Sequence, residues 1–221
     1  MKFSYVHSIH VPLFLVISYY CNNYAAADPT VGFTEVPLNQ SNFVVQRPYD
    51  VPLSQRYSFA GGTHRLWVYA DDEPHDRKSH TQPRTEIRIT GLDYSSGVWQ
   101  FEAYGFVPNG TSGATVAQIF GASHGAATTL ILRIYEPGEM RYYSYLPAVA
   151  GGLYDRWFRL NMVHDVDGGM VAVFLDGELK LHHHDRGSGQ FYFKCGVYAA
   201  PADISYYMES RWRDIKIYKK Y

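Results

Sequence analysis

Hydrophobic and polar positions alternate along most of this chain with a period of two, the repeat of a β-strand. In QPRTEIRI, Thr85, Ile87 and Ile89 fall on one side, and Arg84, Glu86 and Arg88 on the other. The pattern predicts strands at 43–46, 64–69, 84–90, 98–107, 115–120, 129–135, 141–145, 157–164, 170–175, 178–182, 190–198 and 206–218, separated by Gly, Pro, Asp and Asn. Asp176-Gly177, set between apolar runs, marks a hairpin, because this pair readily takes the positive φ values of a tight primed turn. No segment carries a helical period, an internal repeat or a low-complexity run. A dozen strands without crossover helices predict an all-β chain of antiparallel sheets, as a sandwich or jelly roll. Residues 71–83 and 121–127 read as loops of the kind that border a groove.

Composition narrows the setting. Lys2 is the one charged residue before a short apolar run at 11–17, and small residues Ala25, Ala26 and Ala27 follow. This is the pattern of a secretory signal, and the apolar run is too short to span a bilayer. Removing residues 1–27 leaves 194 of the 221 residues and takes the formal charge from −1 to −2. Residues 28–221 then suit one all-β domain, acting as a monomer with no membrane attachment. A near-neutral balance gives no support for nucleic-acid binding. Cys21 leaves with the signal, so Cys195 stands alone and no internal disulfide can form. Asn39-Gln40-Ser41 and Asn109-Gly110-Thr111 are glycosylation sequons suited to exposed loops, with Asn39 and Asn109 as acceptors.

The polar faces are the candidates for chemistry. Besides Arg84, Glu86 and Arg88, strand alternation puts Gln118 on a face with Val116 and Phe120. It sets Tyr192, Lys194, Gly196 and Tyr198 opposite Phe193, Cys195 and Val197, and Gln100, Glu102 and Tyr104 opposite Trp99, Phe101, Ala103 and Gly105. Pattern alone allows an ordinary wet sheet face, with Arg-Glu-Arg as an ion-pair ladder. The richness in Arg, Gln and Tyr allows a second reading, since these groups direct hydrogen bonds and the guanidinium fork matches a carboxylate. His182, His183 and His184 read as a solvated loop end, His164 as structural, and Asp165 and Asp167 as turn chemistry before Gly168-Gly169. His124, in the loop after Gln118, is the histidine this reading places near a groove. No metal site, cofactor, nucleophile elbow or phosphate loop is expected.

Three segments in order, QPRTEIRI, Gln118-Ile119 and YFKCGVY, resemble the signatures of the alginate-lyase-type polysaccharide lyases of family seven, roughly R-T/S-E-L-R, Q-I-H and Y-F-K-A-G-x-Y-x-Q. A fuller resemblance, to the plant citrate-binding proteins related to that fold, runs through DPTVGFTEVPL, QRPYDVPLSQRYSF, RLWVYADDEPH, the long stretch 93–123, YDRWFRLN and YMESRWRDIKI. The resemblance implies a β-jelly roll, a concanavalin-like sandwich of two antiparallel sheets. For a lyase it implies β-elimination on a uronate polymer. Arg84 and Gln118 would neutralise the substrate carboxylate, Tyr198 would move protons, and Lys194 and Arg88 would hold further carboxylates or hydroxyls. The histidine of Q-I-H is Phe120 here, and Ala200 replaces the last Gln. A phenyl ring carries no proton. The retained grip and reduced proton transfer imply a secreted or vacuolar protein that binds citrate or an acidic oligosaccharide through Arg84, Glu86, Arg88, Gln118, Lys194 and Tyr198. A lyase acting through Tyr198 alone and a non-cleaving wall lectin are the other expectations.

Overall fold

The alternating segments become strands in a computed structural model that describes residues 28–123 and 127–221. The expected signal with Cys21, and also His124, lie outside the described residues. In chain order the strands are β1 Thr34–Val36, β2 Phe43–Gln46, β3 Tyr57–Ala60, β4 Thr63–Tyr69, β5 Arg84–Ile89, β6 Val98–Phe106 and β7 Ala114–Phe120. They continue as β8 Thr128–Tyr135, β9 Glu139–Tyr142, β10 Trp157–Asp165, β11 Met170–Leu175, β12 Glu178–His184, β13 Tyr192–Ala199 and β14 Tyr207–Lys220. The larger sheet runs β12-β11-β10-β6-β14-β4-β3, with β1 added beside β14; the smaller runs β2-β5-β13-β7-β8-β9. Neighbouring strands pair antiparallel in both.

The apolar faces meet between the sheets, as the alternation requires. Leu66, Phe101, Phe158, Leu160 and Trp212 from the larger sheet bury against Ile87, Ile119, Leu130, Leu132, Phe193, Cys195 and Val197 from the smaller. Asp176 and Gly177 take φ values of 52° and 85°, the left-handed pair expected for the β11–β12 turn.

Four local expectations change. β1 and β3 are short strands on exposed ground, and they pair through the backbone where side-chain alternation gives little signal. β9 stops at Tyr142, because Tyr143 turns left-handed at φ 55° and ends the extended run expected to reach Tyr145. β12 runs on through His184, so the three histidines are the exposed last residues of a strand and not part of a loop. In β7 the register against β8 slips between Thr115 and Ala117. The extra residue breaks the period of two, and Val116 joins the core while Gln118 stays with the polar face.

Candidate functional site

The polar side of the smaller sheet is built from three strands in register. Arg84 of β5 lies opposite Tyr198 of β13, which in turn lies opposite Thr115 of β7. Glu86 lies opposite Gly196, and Arg88 opposite Lys194, whose other neighbour is Gln118. Tyr192 lies opposite Phe120. The six residues expected to bind ligand are thus gathered on one patch by pairing between distant chain segments.

Glu86 is the hub. Its Oε2 accepts from Lys194 Nζ at 2.9 Å and from Arg84 Nη1 at 3.3 Å, and its Oε1 accepts from Gln118 Nε2 at 2.5 Å. The carboxyl is fully buried, and burial works to raise its pKa. Lys194 and Arg84 beside it, with the bonds from Lys194 and Gln118, bring it below the ordinary value. Burial pulls Lys194 down from its ordinary range, and Glu86 opposes that pull. Three donors around one carboxylate favour the ionised pair.

Glu86 does not orient both arginines. Arg88 turns away from it and donates to Asp93 Oδ2 at 2.5 Å, while its guanidinium covers the Tyr192 ring at 3.9 Å. Arg84 covers the Tyr198 ring at the same distance. Three cations, Arg84, Arg88 and Lys194, therefore face two carboxylates, Glu86 and Asp93, which leaves the patch one positive charge in excess. Lys194 and Gln118 are 1 % exposed and Arg84 6 %, so the solvent-facing rim consists of Arg88, Tyr192, Tyr198 and Phe120. Phe120 stacks on Tyr192, with ring centroids 4.8 Å apart, and Lys194 Nζ lies 5.9 Å from its ring. The patch can therefore neutralise an anion, while position 120 adds apolar surface and no proton.

Not every polar face joins this patch. Glu102 belongs to the larger sheet, where it accepts from Arg159, Asn161 and Tyr218, and Gln100 is buried on the same strand. His164 is buried between Tyr94, 3.1 Å from its Nδ1, and Asp185, 3.2 Å from its Nε2. Asp165 accepts from the Gly168 N–H at 2.8 Å within its own turn. Asn39 and Asn109 are both exposed. Among the described residues no group of His, Cys, Asp or Glu is arranged to hold a metal ion.

Sequence reasoning missed His75. The loop between β4 and β5 carries it to a partly buried place, where burial first and then Arg84 and Lys194 depress its proton affinity. The signal was present in the loop's position just before β5, but alternation says nothing about where a loop side chain goes.

Residues 36–219 match the sequence model of the family described as alginate lyase, and the chain belongs to that family. Solved structures share the fold. Alginate lyase A1-II', a member of polysaccharide lyase family-7, has a TM-score of 0.64 at 15% identity, over 82% of this chain and 96% of its own. The alginate lyase of Corynebacterium sp. gives 0.60 at 16% identity, over 83% and 91%. The chain is also 53% identical over 208 residues to a citrate-binding protein of Hevea brasiliensis, covering 94% of this chain and 86% of the relative.

Proposed function

We propose that this chain is a secreted or vacuolar protein that binds citrate or a related polycarboxylate on the polar face of the smaller sheet. Arg84, Arg88, Lys194 and Gln118 supply charge and donors, Glu86 sets the positions of Arg84, Lys194 and Gln118, and Tyr198 closes one side. The observation that carries this reading is Phe120. The resemblance to the lyases asks for a proton-carrying histidine there, and a phenyl ring stacked on Tyr192 occupies the place, while the carboxylate-gripping residues remain assembled around Glu86. The 53% identity to a citrate-binding protein supports the same ligand class. Residues 1–27 act as the signal, residues 28–221 as one monomeric domain, and Asn39 and Asn109 carry glycans.

A second reading is favoured by one contact. Tyr198 lies against the Arg84 guanidinium, where it could serve as both base and acid in a β-elimination from a bound uronate. Calorimetry with citrate and ultraviolet absorbance on polyglucuronate, alginate and pectate separate the two. Saturable citrate binding without any unsaturated product supports the binder. Product formed by wild type and lost in Tyr198→Phe supports the lyase. Arg84→Gln is expected to weaken citrate binding by about 30-fold or more, the factor for losing about 2 kcal/mol from a buried charge pair. Lys194 and Gln118 still hold Glu86 in that variant, so its thermal unfolding should stay close to wild type. Unchanged affinity would remove Arg84 from the site.

A further inference from the structure

The loop that carries His75 is tied down at both ends. The Tyr49 N–H donates to the Pro74 carbonyl at 3.0 Å, just past the end of β2, and Asp72 accepts from Arg56 at 2.7 and 2.5 Å. At the far end the Ala199 N–H donates to the Pro83 carbonyl at 3.0 Å, one residue after Tyr198. Between these anchors His75 lines a pocket of about 490 Å³ together with Gln46, Arg47 and Tyr57. Gln46 is the cross-strand neighbour of Glu86, so this pocket abuts the edge of the anion patch. Two buried polar atoms in it, Gln46 Oε1 and His75 Nδ1, have no hydrogen-bond partner among the described residues. An unpartnered buried imidazole nitrogen next to an excess of positive charge is poised to change its protonation when that charge is cancelled.

We propose that His75 is a member of the carboxylate site, and that binding an anion on Arg84 and Lys194 draws a proton from solvent onto its ring. This rests on the binding reading above and adds its regulation. The groups that act on the ring come from every element around it. Burial comes first in lowering its pKa below the ordinary 6.5, and Arg84 of β5 and Lys194 of β13 lower it further. Asp76 of its own loop and Glu86 of β5 work the other way. Arg47 and Tyr57 share the pocket wall. A bound polycarboxylate offsets the two cations and raises the ring's proton affinity. Binding then strengthens as pH falls through the interval between the liganded and free pKa values, and levels off below the free value.

The test follows His75 by NMR, its ring signal assigned by its loss in His75→Gln, in free protein, in citrate-saturated protein and in Arg84→Gln. Citrate is expected to raise the His75 pKa by about one unit, and Arg84→Gln to raise it without ligand. Calorimetry in two buffers of different ionisation heat should then give more proton uptake for wild type than for His75→Gln. The wild-type affinity should also fall up to about tenfold further than the variant's between about pH 5 and pH 7.5. Protons taken up by citrate itself are common to both proteins and cancel in the comparison. Citrate binding with the His75 titration unmoved overturns the coupling alone. Absence of citrate binding by wild type overturns the binding reading and the coupling with it. Should His75→Gln fail to fold, through-bond assignment of the His75 ring in isotope-labelled wild type replaces it, and the wild-type and Arg84→Gln titrations still decide.

Discussion

Glu86→Gln is expected to lower the unfolding free energy by about 3–5 kcal/mol, the range for breaking a buried ion pair by removing one partner. The carboxylate is fully buried and accepts from Lys194, Arg84 and Gln118. The neutral amide leaves the Lys194 ammonium, itself 1 % exposed, without a counter-charge. For a domain of this size the loss corresponds to a fall in Tm of roughly 6–20 °C. Adding Lys194→Met should recover much of it, because the orphaned charge goes and a chain of similar length fills the space. The acid limb of stability carries the same signature. Glu86 has its pKa lowered by folding, so its contribution is complete above the ordinary carboxylate value of 4.5 and is lost as pH falls through the lower folded value. Denaturant titrations from neutral pH downward should therefore be flatter in Glu86→Gln than in wild type. A variant as stable as wild type at neutral pH would mean that the network contributes position and no net stability.

Gly196→Ala is expected to cost on the order of 3–5 kcal/mol, from a Gly-only backbone conformation and an overpacked contact together. Gly196 has φ 143°, and a Cβ there would stand 2.4 Å from the Thr85 carbonyl oxygen and 2.7 Å from Glu86 Cα. Both are backbone atoms of β5, so no side chain can swing aside; β13 must separate from β5. That separation breaks the register that sets Tyr198 beside Arg84 and Lys194 beside Arg88. Citrate affinity should fall with stability. The neighbouring Cys195 thiol, buried in the core and pushed well above its ordinary pKa by that burial, should react faster with an alkylating reagent. Wild-type alkylation rates in a stable Gly196→Ala variant would show that the strands absorb the extra methyl without parting.

Much of this was legible in the sequence, and the reasons differ by element. Strands with one buried face and one polar face, such as β5 and β13, announce themselves through alternation, and Thr85, Ile87 and Ile89 do enter the core. The same alternation could not say that the other face of β5 is also buried. Glu86 is enclosed by side chains from β13 and β7, and those contacts exist only after strands more than thirty residues apart in sequence pair. The slip at Thr115–Ala117 was invisible for a related reason, since a bulge is a property of two strands and the pattern describes one. The turn at Asp176-Gly177 was readable because it is local. His75 was not, because a loop has no period and its position depends on anchors such as Tyr49, Arg56 and Ala199 that come from other elements.

The order of strands in the two sheets sets when this protein can fold. β13 lies between β5 and β7 in the smaller sheet, and β14 between β6 and β4 in the larger. These are the last two strands in chain order, so residues 192–220 supply the central partner of both layers. Until they emerge from the ribosome, four long strands that will be interior carry unpaired backbone along one edge, an open invitation to wrong partners. No earlier fragment can close either layer or assemble the anion patch, whose lysine arrives on β13. Synthesis must run nearly to residue 220 before either layer can be completed, and a chain stopped even thirty residues short has four sheet fragments, two for each layer, with no strand to join them.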